Sequence, residues 1–187
     1  SGQVAGTETQ ITLFDSLTEV ANGRPVELDL DVLNPALCIV EQHLPKAPSG
    51  GVAVTYADGS SKEANPSGTF FVGENPIIDV VLPSNVTDGF LTVSILDVTG
   101  NVFHLLPNIS RQDHAVAELR AGAGGVFPIR VAFSLDESAS TGGIAFKVDD
   151  STLGKSKIII LHSAEPLFQG LRPTAESAAS FAEALQT

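Results

Sequence analysis

The chain has 187 residues, of which 43% are hydrophobic and 17% charged, and its formal net charge is −12. This composition indicates a folded globular protein, long enough for one domain with a sizeable extension, and excludes a disordered chain. The negative charge disfavours nucleic acid and anionic membrane surfaces as partners, and no run approaches the roughly 20 apolar residues of a membrane span.

Residues 1–45 are predicted to form a small αβ extension that ends in a linker. The first ten residues are polar, so we expect them to fray. Apolar residues within Ile11–Ala21 fall on one helix face, whereas Val26–Val32 alternates apolar and acidic residues as a half-buried strand does. Ala36–Leu44 is then expected to be a short helix, because a proline follows it.

Residues 46–187 are predicted to form an antiparallel β-sandwich, because short apolar runs alternate with turn residues. A glycine beside Asn101 separates two such runs and predicts a hairpin, since both residues tolerate positive φ. Ala121–Gly125 and Asp136–Gly143 are rich in small residues and are expected to be loops. Ala175–Leu185 is predicted to be an amphipathic helix with Thr174 as its N-cap. The strands are predicted at Val52–Tyr56, Thr69–Val72, Ile77–Leu82, Phe90–Asp97, Val102–Leu106, Phe127–Leu135, Ile144–Val148 and Lys157–His162.

A set of segments in the second half of the chain forms a combined pattern. These segments are Gly89–Leu91, Asp97–Asn108 and Ser163–Phe168, followed by Arg172 with Pro173 and then Glu176. Over residues 32–187 the chain resembles a bacterial module of unknown function that ends some serine/threonine protein kinases, including type VI secretion-associated ones, and accompanies caspase-like proteins. Val32–Pro45 resembles the cysteine-containing link that precedes this module, in some relatives after a lipid-associated αβ repeat.

This resemblance implies a mainly β protein: an immunoglobulin-like antiparallel β-sandwich with a short C-terminal helix and a small N-terminal αβ extension. It also implies a periplasmic or extracytoplasmic location and a place in a larger envelope or signalling protein, such as a membrane-anchored serine/threonine kinase. No catalytic residues are assigned in that family, so the resemblance implies that the module is not itself an enzyme.

Five polar residues are the candidate binding residues of the chain. His104 stands in an apolar strand, where a backbone carbonyl could satisfy it or where it could contact a ligand. Asp97 and Asp113 are carboxylates that could lie beside it, and Asn108 ends the hairpin segment. Arg172 is expected to pair with a carboxylate at the entry to the terminal helix, or to contact a partner.

The sequence carries no legible catalytic constellation, metal-ligand spacing or phosphate-binding loop, so no metal and no cofactor are predicted. The four histidines lack the HExxH spacing, and Ala121–Gly125 lacks the GK[ST] ending of a phosphate loop. Cys38 is the only cysteine, which excludes an intrachain disulfide. It lies in an apolar stretch and is expected to be a buried structural thiol rather than a nucleophile.

The leading hypothesis is a non-catalytic sensor or interaction module that binds a protein partner or small ligand in the cell envelope. Contacts would come from an exposed strand edge or from the loops Ser84–Gly89, Ile109–Asp113 and Asp136–Gly143. Two alternatives remain open: a structural or assembly domain that oligomerises through a sheet edge, and a hydrolase that uses His104 with loop carboxylates. Neither nucleic-acid binding nor direct membrane insertion is expected of this part of the chain.

Overall fold

The structure is a computed structural model that describes residues 2–5, 7–33, 35–45, 50–121, 128–151 and 153–186. This part of the chain is mixed in α and β content, with five helices and two antiparallel sheets of three and four strands. A third sheet near the N-terminus has two parallel strands. The two antiparallel sheets are compatible with a β-sandwich, and the immunoglobulin-like form stays a prediction.

The N-terminal unit is a strand, a helix and a parallel strand: β1 (Gly2–Ala5), α1 (Thr7–Ala21) and β2 (Leu30–Leu33). The predicted helix over Ile11–Ala21 is confirmed, whereas the predicted fraying of the first ten residues is wrong, because β1 and the first turn of α1 lie there. The predicted strand Val26–Val32 is shorter than expected. Its partner β1 has only four residues, so only the end of the alternating run finds backbone partners.

Helix α2 (Pro35–Glu41) ends three residues before the predicted boundary and packs against the last helix, α5 (Ala178–Ala184). The predicted division of the chain after residue 45 stays a prediction. Glu41 on α2 also forms an ion pair with Lys157. Cys38 is half-buried in α2 and is a free thiol.

The two antiparallel sheets are built from strands that lie close to the predicted ones. The first sheet has the order β3 (Ala53–Asp58), β4 (Pro76–Val81) and β7 (Pro128–Ala132). The second has the order β8 (Lys157–Ser163), β5 (Phe90–Leu96), β6 (Asn101–Leu106) and β9 (Ala175–Ser177). The predicted hairpin of β5 and β6 is confirmed, with Gly100 at φ 88° in its turn.

A hydrophobic cluster joins the two antiparallel sheets and includes Val80 of β4, Val93 of β5 and Val131 of β7. A second cluster lies against the helices α2 and α5 and includes Leu96 of β5 and Phe181 of α5. The second sheet therefore contributes apolar side chains to two separate cores. This double burial explains why β5 and residues 158–161 of the strand β8 carry apolar side chains on both faces.

Two predictions fail between residues 127 and 143. Asp136–Gly143 is not a loop but mostly helix α4 (Leu135–Thr141), because Ser134 and Glu137 form a reciprocal capping box and Gly142 ends the helix at φ 70°. The predicted strand Phe127–Leu135 therefore ends at Ala132, and its first residue lies outside the described residues, as do residues 122–125 of the predicted glycine-rich loop. A short helix, α3 (Val116–Arg120), precedes that loop and was not predicted.

Two predicted strands, Thr69–Val72 and Ile144–Val148, are irregular segments in the structure. Isolated backbone bonds hold them, such as Val148 N to Glu74 O at 2.9 Å, and no ladder forms. The predicted C-terminal helix is also wrong in its first turn. Ala175–Ser177 pairs with β6 as strand β9, and Ser177 rather than Thr174 caps the helix that follows.

Candidate functional site

His104 lies at the centre of a buried polar network that links the second sheet to the C-terminal segment. Its Nδ1 lies 2.9 Å from Ser94 Oγ on the neighbouring strand β5, and its Nε2 lies 2.8 Å from Glu176 Oε1 on β9. His104 is 2% exposed and Ser94 1% exposed. The ring also packs edge-on against Phe181, with 5.3 Å between the ring centres. Sequence reasoning missed Ser94 and the role of Glu176, because both contacts depend on strand pairing.

Arg172 closes this network from the surface side. Its Nε donates to Glu176 Oε1 at 2.8 Å, its Nη2 bonds the other carboxylate oxygen, and its guanidinium lies over the Phe168 ring at 5.4 Å. Ser180 Oγ also donates to Glu176, at 2.6 Å. The prediction that Arg172 pairs with a carboxylate at the entry to the terminal helix is confirmed.

Electrostatics fix the protonation states in the network. Burial lowers the pKa of His104, and this outweighs the opposite effect of the hydrogen bond with Glu176. Burial acts to raise the pKa of Glu176, but hydrogen bonds from Arg172, Ser180 and His104 outweigh it and lower the pKa to about 2. At neutral pH, therefore, a neutral His104 donates from Nε2 to an ionised Glu176 and accepts at Nδ1 from the Ser94 hydroxyl.

The serine, histidine and carboxylate have the residue types of a hydrolytic triad, but not its accessibility. A nucleophile has to reach a substrate, and a general base needs a nitrogen directed at it. Ser94 is fully buried between strands, and both ring nitrogens of His104 are engaged within the protein. The network thus holds β9 and α5 against β6, with its serine and histidine buried away from any substrate.

The other three candidate residues lie in separate turns. Asp97 Oδ1 accepts from the backbone N–H of Thr99 and of Asn101, each at 2.9 Å, and so closes the hairpin turn. Asn108 is buried after a cis proline, and its Oδ1 accepts from the backbone N–H of Arg111 at 2.9 Å. Asp113 is exposed and accepts from a backbone N–H at 3.3 Å. The structure brings His104 and Arg172 together, and does not bring these three to them.

The three candidate loops lie in two separate parts of the structure. Ile109–Asp113 and the end of Asp136–Gly143 border one open groove of 620 Å³, which we call the Arg111 groove. Ser84–Gly89 instead lies beside strand β8, where Asp88 O is 2.8 Å from His162 Nε2. Gly89 has φ 80°, and a Cβ there would lie 2.6 Å from Ser163 O, so only glycine permits this close approach.

Strand β8 forms the longest edge of the two antiparallel sheets and, within the described ranges, has no backbone partner beyond β5. The other edges are short or protected. β9 has three residues and β7 five, and Arg130 O on β7 accepts from the Arg111 side chain at 2.7 Å. The end of β3 is covered by a loop, since Asp58 N donates to Glu63 O at 2.9 Å.

The direction of the backbone groups on β8 follows from its pairing with β5. Leu91 N donates to His114 O at 2.9 Å, on the side of β5 that faces away from β8. Because N–H groups alternate in direction along a strand, the next residue, Thr92, directs its backbone groups toward β8, opposite Leu161. Within β8, Leu161 and every second residue from it, including Ile159, therefore form their backbone hydrogen bonds with β5.

The intervening residues of β8, which are Ile158, Ile160 and His162, therefore direct their N–H and C=O groups outward. We call these backbone groups the β8 edge. Ile158 and Ile160 pack on the cluster between the sheets, whereas Leu161 packs on the helix-side cluster. The side chains of Ile158, Ile160 and Leu161 are half-buried, and that of His162 is exposed. Apolar surface therefore remains on both faces of the sheet beside the edge.

Among the residues that the structure describes, there is neither a cluster of metal ligands nor a membrane-spanning helix. Among them, no three His, Cys, Asp or Glu side chains are close enough to hold a metal ion together. No helix in the same residues has the length and apolar character needed to cross a bilayer.

No protein-family model matches the sequence, and no curated protein or solved structure matches it either. The resemblance to the kinase-associated bacterial module therefore stays a prediction.

Proposed function

We propose that this chain is a non-catalytic protein-binding module that accepts an extended segment of a partner at the β8 edge. The observation that carries this proposal is the row of outward backbone groups on the seven-residue strand β8. Such a row is a template for an added strand, and natural proteins normally shorten, charge or cover it. The resemblance supplies the setting: a sensor or interaction module of a larger bacterial envelope or signalling protein, such as a membrane-anchored serine/threonine kinase, on its extracytoplasmic side.

The proposal includes an immunoglobulin-like sandwich as the scaffold. Two antiparallel sheets that contribute to one hydrophobic cluster support it. In such a scaffold the edge strand is held rigidly by the core behind it. The buried network of His104 belongs to this scaffold and keeps the opposite edge, β9, in place.

The β8 edge also sets the chemistry of the partner. Backbone hydrogen bonds would supply affinity, and alternate side chains of the added strand would supply specificity. Because Ile158 and Leu161 leave apolar surface on opposite faces of the sheet, the added strand would carry apolar residues on both faces. The expected partner segment is thus a short, nearly continuous apolar run.

Replacement of His162 tests this proposal, because its N–H points outward and its side chain is exposed. His162→Pro removes that N–H, whereas His162→Ala keeps it, and both lose the same contact with Asp88. Displayed random peptides of about 12 residues should yield apolar binders of the wild type. These should bind His162→Ala equally well and His162→Pro at least about tenfold more weakly, measured by titration.

Equal binding of those peptides to all three proteins would place the binding surface elsewhere, and failure to enrich any apolar peptide would remove the support for strand addition. Circular dichroism and thermal melting of both variants provide the control for folding.

An assembly domain is the second candidate, and the same edge favours it. Two copies of β8 can pair antiparallel about Ile160, which would join two four-stranded sheets. The net charge of −12 on each copy opposes such pairing. A stable dimer in light scattering that His162→Pro dissociates would favour assembly over binding of another protein.

A further inference from the structure

Arg111 and Arg130 lie next to each other in the Arg111 groove, but their charges are balanced differently. Arg130 pairs with Asp79 through two bonds, of 2.9 Å and 3.1 Å, and with Glu137 at 2.7 Å. Arg111 instead donates from Nη1 to the backbone oxygen of Arg130 at 2.7 Å. Within the described part of the chain, no carboxylate forms an ion pair with Arg111.

This unpaired charge is half-buried, which is unusual in a chain with more than twice as many acidic as basic residues. Burial lowers the pKa of Arg111, and the nearby Asp113 acts in the opposite direction without forming a hydrogen bond with it. A guanidinium presents five N–H donors, and here its Nε and Nη2 lack protein acceptors among the described residues. A partly desolvated charge of this kind is stabilised by a carboxylate that binds its free donors.

The groove around Arg111 is also partly apolar. The half-buried side chains of Leu119 and Phe133 line it. Ser110 is a further polar residue of its lining. A volume of 620 Å³ lies within the range of small-ligand sites, roughly 300–1,000 Å³.

We propose that the Arg111 groove binds a carboxylate carried on a compact apolar group. The carboxylate takes the free donors of Arg111, and the apolar group lies against Leu119 and Phe133. Arg130 does not compete for this ligand, because Asp79 and Glu137 already occupy its guanidinium. The site is separate from the β8 edge and stands whether or not that edge binds a partner.

Two sources carry this chemistry: a free small organic acid, and the C-terminal carboxylate of a polypeptide that ends in an apolar residue. Phenylacetate represents the first source, with phenylacetamide as its uncharged match. The peptide acetyl-Ala-Ala-Phe represents the second, with a free or an amidated C-terminus. Titration of each probe into the full chain, followed by amide chemical shifts, measures both affinity and position.

The wild type should bind at least one free carboxylate about tenfold or more tightly than its matched amide, with shifts at Ser110, Arg111 and Ile129. Arg111→Gln should reduce the carboxylate to the affinity of the amide, and Arg111→Lys should keep part of the difference. Arg24→Gln removes one exposed positive charge far along the chain and should change nothing. Whichever of phenylacetate and acetyl-Ala-Ala-Phe binds more tightly identifies the source of the ligand.

Equal affinities of acid and amide would overturn the proposal, as would the absence of binding by both acids up to about 5 mM. Retention of the full difference in Arg111→Gln would overturn it as well. The comparison of acid with amide on the wild type keeps the test decisive if Arg111→Gln unfolds. A negative result here leaves the peptide binding tested with His162→Pro unaffected, so the two proposals fail separately.

Discussion

Replacing Glu176 by glutamine is expected to lower the free energy of unfolding by about 3 kcal/mol, because it removes one partner of a buried ionic network. Glu176 accepts from His104, Arg172 and Ser180. An amide cannot satisfy three donors as a carboxylate does, and its own N–H would face the other donors. Thermal unfolding should show a midpoint roughly 6–12 °C lower for a chain of this size.

The pH dependence of this difference identifies its cause. The pKa of Glu176 is lowered to about 2 in the folded protein, below its ordinary value of 4.5. The stabilisation is therefore fully present above pH 4.5 and is lost as the pH falls through about 2. The wild type and Glu176→Gln should converge in stability over that interval. Glu183→Gln, an exposed change on helix α5, which follows β9, should leave stability nearly unchanged; a loss as large as that of Glu176→Gln would contradict this account.

Replacing Phe181 by alanine is expected to cost about 3–5 kcal/mol, the usual range for deletion of a buried aromatic ring. Phe181 is fully buried in the helix-side cluster, where its ring contacts His104 and Phe168. The change leaves a cavity beneath α5 and removes a wall of the histidine network. The expected result is a shift of the urea unfolding midpoint to markedly lower concentration.

Phe71→Ala is the matched control, since the Phe71 side chain is 70% exposed and packs little. It should change stability by no more than about 0.5 kcal/mol. If Phe181→Ala behaved like Phe71→Ala, the helix-side cluster would not be a core of the folded protein, and the docking of α5 would be in error.

The parts of the fold that the sequence predicts well are those with local causes. The turn around Gly100 and the apolar runs on either side predict the β5 and β6 hairpin. The capping box of Ser134 and Glu137 also has a local signal, serine followed three residues later by glutamate. The small residues after it favour a loop, so the composition of the segment outweighs this signal.

The parts that the sequence does not predict depend on contacts between distant segments. Glu176 lies 72 residues from His104, so the pairing of β9 with β6 has no local signature. A three-residue strand is too short for any periodicity to appear. Lys157–His162 is recognisable as a strand from its composition, but its position at the edge of a sheet is a property of topology. Arg111 lies in a candidate loop, but only the folded positions of Asp79 and Glu137 show that neither of them pairs with it.

Amide hydrogen exchange along β8 in the unbound protein tests most directly whether this edge is open. The N–H groups of Ile158, Ile160 and His162 point outward, whereas those of Ile159 and Leu161 are bonded to β5. The outward amides should exchange at least about 100-fold faster than the inward ones, in an alternating pattern resolved by NMR. Uniformly slow exchange across all five amides would mean that the edge is already covered, and would contradict binding by strand addition.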